Sequence, residues 1–99
     1  MQSFYPEIFE RDMACTEAEW LGWLPAAIGD HPHNLGVGAA QVQIDSGVLR
    51  FTWQVQQPRV IALVRLPRLK VRFAFHGVPE AERLAFMQRF DLYTLRGGG

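Results

Sequence analysis

From residue 38 to residue 75 apolar and polar side chains alternate with a period of two. Ala40, Val42 and Ile44 stand against Gln41 and Gln43. Leu49, Phe51, Trp53 and Val55 stand against Arg50, Thr52, Gln54 and Gln56, and Leu69, Val71, Phe73 and Phe75 against Arg68, Lys70, Arg72 and Ala74. Successive side chains of a strand point to opposite faces, so the pattern predicts a sheet with one oily and one polar face. Asp45-Ser46-Gly47 is a hairpin signal, with Gly47 free to take a left-handed conformation. Gln57-Pro58-Arg59 is read as a second turn. Residues 60–64 are apolar throughout, as in a central strand covered on both faces or one whose outer face meets a partner. Pro67 cannot donate to a ladder and marks an edge, a bulge or a turn. Residues 68–75 are then either a fourth strand or the continuation of a bent third.

On both sides of this block the spacing becomes helical. Thr16-Glu17-Ala18-Glu19 has the form of a capping box, with acids suited to the positive end of a helix dipole. Trp20, Leu21, Trp23, Leu24, Ala27 and Ile28 supply an apolar stripe, while Pro25 predicts a kink or break near Trp23 before a stop at Gly29-Asp30. His31 to Gly36 has loop composition. Near the other end, Pro79 fits the first position of a second helix whose apolar residues Ala81, Leu84, Ala85, Phe86, Met87, Phe90, Leu92 and Tyr93 nearly encircle it. Such a helix is expected to be wedged between the sheet and a second element or subunit. Residues 7–15 alternate in a way that suits a strand, with a short helix from Pro6 as the alternative.

The expectation is an α+β domain with an antiparallel four- or five-stranded sheet packed against two helices, in the order β-α-β-β-β-β-α. In element order this resembles the TATA-binding-protein-like or helix-grip arrangement, in which a curved sheet wraps a long last helix. If residues 7–15 are not extended and Pro67 is not a turn, a three-stranded meander with helices on one face results. Ninety-nine residues, 48% apolar and 20% charged, fit one domain over residues 1–96, with Gly97-Gly98-Gly99 as a flexible tail. A single Cys15 supplies no internal disulfide. No secretion leader is legible, and residues 60–64 fall far short of the ~20 apolar residues a membrane span needs. A cytoplasmic location is the expectation.

Ten basic and ten acidic groups cancel in sum but not in place: residues 1–49 carry a net −6 and residues 50–99 a net +6. Either the halves fold onto each other, or the basic side is segregated and meets phosphate or an acidic partner. Arg68, Lys70 and Arg72 share one strand face, and Arg50 joins them from a neighbouring strand. This basic sheet face is the candidate binding surface. For nucleic acid it lacks stacking rings, because Phe51, Trp53, Phe73 and Phe75 take the opposite face. A second candidate is an apolar cleft between sheet and last helix lined by Trp20, Trp53, Phe73, Phe86 and Phe90.

His31-Pro32-His33 supplies at most half of a zinc site, so neither a metal nor a cofactor is expected. Cys15 has no base placed beside it by the sequence, and the pairs Glu17/Glu19 and Glu80/Glu82 fall in helix first turns, where capping accounts for them. Leu95-Arg96-Gly97-Gly98-Gly99 resembles the Leu-Arg-Gly-Gly ends of ubiquitin-like proteins, but the order of elements does not. The reading is a binding or assembly module with a protein partner or a second copy, a homodimer for instance. An apolar-ligand domain and a weak anion- or nucleic-acid-binding face are the alternatives, and an enzyme ranks below all three.

Overall fold

The computed structural model describes residues 4–94. Its elements are β1 (Ile8–Met13), α1 (Glu17–Ile28), β2 (His33–Gly36), β3 (Ala39–Ile44), β4 (Gly47–Ile61), β5 (Val64–His76) and α2 (Glu80–Thr94). The strands form one sheet in the order β1-β5-β4-β3-β2, every pair antiparallel. The class and the β-α-β-β-β-β-α order agree with the sequence pattern, and residues 7–15 hold a strand.

The four strands between the helices are divided differently from expectation. The supposed loop contains β2, which pairs with β3 through the two-residue turn Val37-Gly38, where Gly38 takes φ 65°. Gln57-Pro58-Arg59 does not turn the chain. The register between β4 and β5 slips there by one residue, so β4 passes through as a bulge that brings Pro58 and Pro67 to the place where the ladder is already interrupted. Residues 60–64 are not a strand of their own but the apex of a hairpin. The chain reverses at Ala62-Leu63, with Ala62 at φ 54° and Ile61 opposite Val64.

Both ends of α1 are held locally. The Glu19 amide donates to Thr16 Oγ1 at 3.1 Å and the Thr16 amide to Glu19 Oε1 at 2.9 Å, completing the capping box. Gly29, at φ 71°, returns its amide to the Pro25 carbonyl at 3.0 Å. The helix is not broken at Trp23. Pro25 removes only the bond to the Leu21 carbonyl, and both residues face solvent, where water can take that carbonyl. α2 starts one residue later than expected, with the Pro79 carbonyl accepting from the amides of Glu82 and Arg83. Nor is it covered all round, since the apolar residues Ala81, Ala85, Leu92 and Tyr93 on its outer side are exposed.

The core lies between the helices and one face of the sheet. Leu49, Phe51, Leu69, Val71 and Phe73 rise from the strands to meet Trp20, Ile28, Met87 and Phe90, all essentially inaccessible to water. Phe90 is the hub, stacked on Phe51 at 5.4 Å and edge-on to Phe73 at 5.6 Å and Trp20 at 5.7 Å. Gly47 is needed for closeness rather than for a left-handed turn. A Cβ there would stand 2.5 Å from the Gly77 carbonyl oxygen, and it is Asp45 that takes φ 53°.

Candidate functional site

The period-two sorting carries Arg50, Arg68, Lys70 and Arg72 to the sheet face opposite the core. Across the β4–β5 ladder Arg68, Lys70 and Arg72 stand against Gln56, Gln54 and Thr52, and Arg50 is one diagonal step from Arg72. What the sequence did not place is β1 beside β5. It sets Glu10 opposite Arg72 and Asp12 opposite Lys70, and diagonal ion pairs follow, Lys70–Glu10 at 3.5 Å and Arg68–Asp12 at 3.6 Å. Two of the four cations are thereby half neutralised by exposed pairs. Arg50 donates to Gln41 Oε1 at 3.2 Å, and Arg72 has no ion pair among the described residues.

The five aromatic residues of the proposed cleft do come together. Trp20, Trp53, Phe73, Phe86 and Phe90 are each at most 5% exposed. Trp20 meets Trp53 at 5.6 Å, Phe86 meets Phe90 at 5.9 Å, and the Trp53 indole donates to Glu17 Oε2 at 2.8 Å where the layer would open. Ring-on-ring contacts occupy the space between sheet and helices.

Two buried polar arrangements escaped the sequence reading. Arg11, on the inner face of β1, pairs with Asp91 of α2 at 2.6 Å while Tyr5 donates its hydroxyl to the same carboxylate at 2.6 Å. The Arg11 guanidinium lies within 6 Å of the rings of Tyr5, Phe9 and Phe73. Burial first, and then the bond to Asp91, pushes the Tyr5 hydroxyl above the usual tyrosine range. Arg83 is buried without a carboxylate, donating to the carbonyls of Tyr5 at 2.8 Å and Val78 at 2.7 Å. Both arrangements fasten the segment before β1 to α2.

The histidines lie beside open surface. A cleft of about 550 Å³ is bounded by Ile28, Asp30, His31, Gln43, Asp45 and Arg89. The Gln43 carbonyl accepts from His31 Nδ1–H at 3.1 Å and the His31 carbonyl from His33 Nδ1–H at 3.0 Å. No group of three or more His, Cys, Asp or Glu side chains among the described residues is placed to hold a metal ion. Cys15 is fully buried, and burial first, then the charge of Glu19, pushes its thiol up to about 11.

The largest feature outside the core is an arm. β3 accompanies β4 only as far as Thr52, with one further bond from the Trp53 amide to the Gly38 carbonyl, and β1 accompanies β5 only from Leu69 onward. Residues 54–61 and 64–68 continue as a two-stranded ribbon with no further strand paired to either edge, bordered at its base by Asp12, Met13 and Ala14 beside Arg59 and residues 66–68. The ribbon exposes Val55, Val60, Ile61 and Val64 by more than half and Leu63 completely, along a molecule 47 Å in its longest dimension. Its strands hold Arg59, Arg65 and Arg68, and no Asp or Glu occurs between Asp45 and Glu80.

Comparison with protein families, with curated proteins and with solved structures returns no similar chain. The helix-grip likeness is therefore one of element order alone, and the site must be read from its own geometry. No helix among the described residues is long and apolar enough to cross a membrane. The residues 95–99 that resemble a ubiquitin-like tail lie outside the described residues.

Proposed function

We propose that this chain is a binding and assembly module whose working part is the β4–β5 arm, with Arg50 and Arg72, neither in an ion pair among the described residues, extending it along the sheet face opposite the core. One observation carries the reading. The fold encloses its core without residues 54–66, yet the chain spends those residues on a hairpin whose aliphatic side chains face water. Isolated two-stranded ribbons are marginal, and exposed apolar strands with open edges mark interaction sites. Pro67 fits this role. The Phe75 amide bonds toward β1, so Pro67, of the same parity, removes one donor from the free edge of β5 and discourages indiscriminate strand addition. The absence of acids over the whole hairpin selects an anionic partner surface.

Association with a second copy is the second reading, favoured by the open outer edges of the ribbon. The arm is tested with Ile61→Asp/Leu63→Asp. Because neither side chain enters the core, its melting temperature is expected within about 4 °C of wild type. Wild type should enhance the fluorescence of anilinonaphthalene sulfonate, an apolar anion, and the variant should not. Unfolding of the variant, or undiminished dye binding, would overturn the proposal. Light scattering over a hundredfold range of concentration decides the second reading, which a constant monomer mass removes.

A further inference from the structure

Resting on the arm as docking element, we infer that its occupant is an anionic lipid surface, into which the apex of the hairpin inserts as a wedge. The apex reads Arg59-Val60-Ile61-Ala62-Leu63-Val64-Arg65, five apolar residues bracketed by two guanidinium groups. In the ladder Arg59 stands opposite Leu66 and Arg65 opposite Val60, so the two cations sit at neighbouring levels on opposite strands and form a collar. Beyond the collar the exposed side chains look in every direction. Val60 and Ile61 are successive and therefore point to opposite faces, and Leu63 caps the turn with no neighbour covering it.

This geometry selects among partners. A strand added at one edge would leave both faces of the apex in water, and a flat protein surface would cover one face only. A bilayer interface surrounds a protruding tip on all sides and needs no matching shape. The depth agrees as well. At a rise of about 3.3 Å per residue the apex lies roughly 7–10 Å beyond the collar, comparable with the ~5–10 Å to which interfacial elements sink. The collar then reaches the phosphate level, where long basic side chains keep their charged ends wet. Lys70, Arg68 and Arg72 stand further back on the same hairpin, the first two partly neutralised by Glu10 and Asp12 of β1, and the hairpin itself carries no carboxylate.

The test places an environment-sensitive nitrobenzoxadiazole label on Leu63→Cys. The buried, poorly ionised Cys15 keeps the labelling selective. Mixed with vesicles of 70% phosphatidylcholine and 30% phosphatidylserine, the label should brighten and shift to shorter wavelength. Neutral phosphatidylcholine vesicles and soluble polyglutamate should leave it unchanged. Arg59→Glu/Arg65→Glu, folded by circular dichroism, should partition about tenfold less or weaker still, since each cation near an anionic surface counts separately. The inference is overturned if vesicles have no effect, if neutral vesicles act equally, or if polyglutamate alone gives the response. A signal that follows protein concentration without lipid would also overturn it, while leaving the arm's role as a docking element intact.

Discussion

At the residue scale, much was legible where a side chain acts on its own neighbourhood. Thr16 and Glu19 cap the helix they were expected to cap, and Phe51 and Phe73 face the core as their parity requires. Arg83 was not legible, because a charged residue in a helix reads as solvent-facing. It is buried here only because the fold brings the carbonyls of Tyr5 and Val78 to it. Arg11 shared the inner parity of β1, but its partner Asp91 lies 80 residues away. Replacing Asp91 with Asn should cost about 1–2 kcal/mol in urea unfolding, the scale of a charge-assisted bond in a partly exposed pair. Gly47→Ala should cost about 1–3 kcal/mol, since the Gly77 backbone beside it cannot yield cheaply. Cys15 should resist dithionitrobenzoate at pH 8 until the chain unfolds. Its folded pKa lies above the ordinary value, so its contribution is whole below about pH 9 and falls away as pH rises towards 11.

At the element scale, the sequence pattern yields the right number of strands with two misassignments that offset each other. β2 hid in a stretch of His, Asn and Gly that reads as loop and is held extended by pairing with β3. The apex hid in a run of five apolar residues whose composition is that of a central strand. Prolines misled at two places, Pro25 and Pro58, while Pro67 marks a bulge, one of the three outcomes expected of it. A missing amide breaks an element only where the partner carbonyl has no other donor, and Pro25 faces solvent while Pro58 and Pro67 share a bulge. The junction of the β3–β4 turn with α2 carries a pH dependence. Glu82 accepts its proton more readily than usual, chiefly through a hydrogen bond with Asp45. That contribution is whole below the ordinary glutamate pKa and lost as pH rises through the raised one. Glu82→Gln keeps the bond without the proton and should raise the melting temperature at pH 7 more than at pH 4.

At the scale of the whole molecule, the opposite charges of the two halves do meet, in Lys70–Glu10 and Arg68–Asp12, which join first-half acids to second-half bases. They meet only on the body of the sheet. Beyond the Arg68–Asp12 pair the hairpin outruns the β1 ladder, so a chain of zero net charge ends in an apex that is apolar and positive. The candidate basic face was thus visible from parity alone. Its partial neutralisation and the arm that extends it depend on which strands run longer than their neighbours, and alternation carries no information about that. The arm and body also differ in what secures them. The body has two helices over one face of its sheet, and the arm has one ladder with no strand paired to either edge.

Amide hydrogen exchange of the free protein at micromolar concentration measures that difference residue by residue. Residues 54–67 are expected to exchange at least a hundredfold faster than residues 48–52 and 69–75, and to slow when phosphatidylserine-containing vesicles are added. Protection along the hairpin equal to that of the core, in dilute protein without lipid, would mean that the apex belongs to the folded body and is no docking element at all.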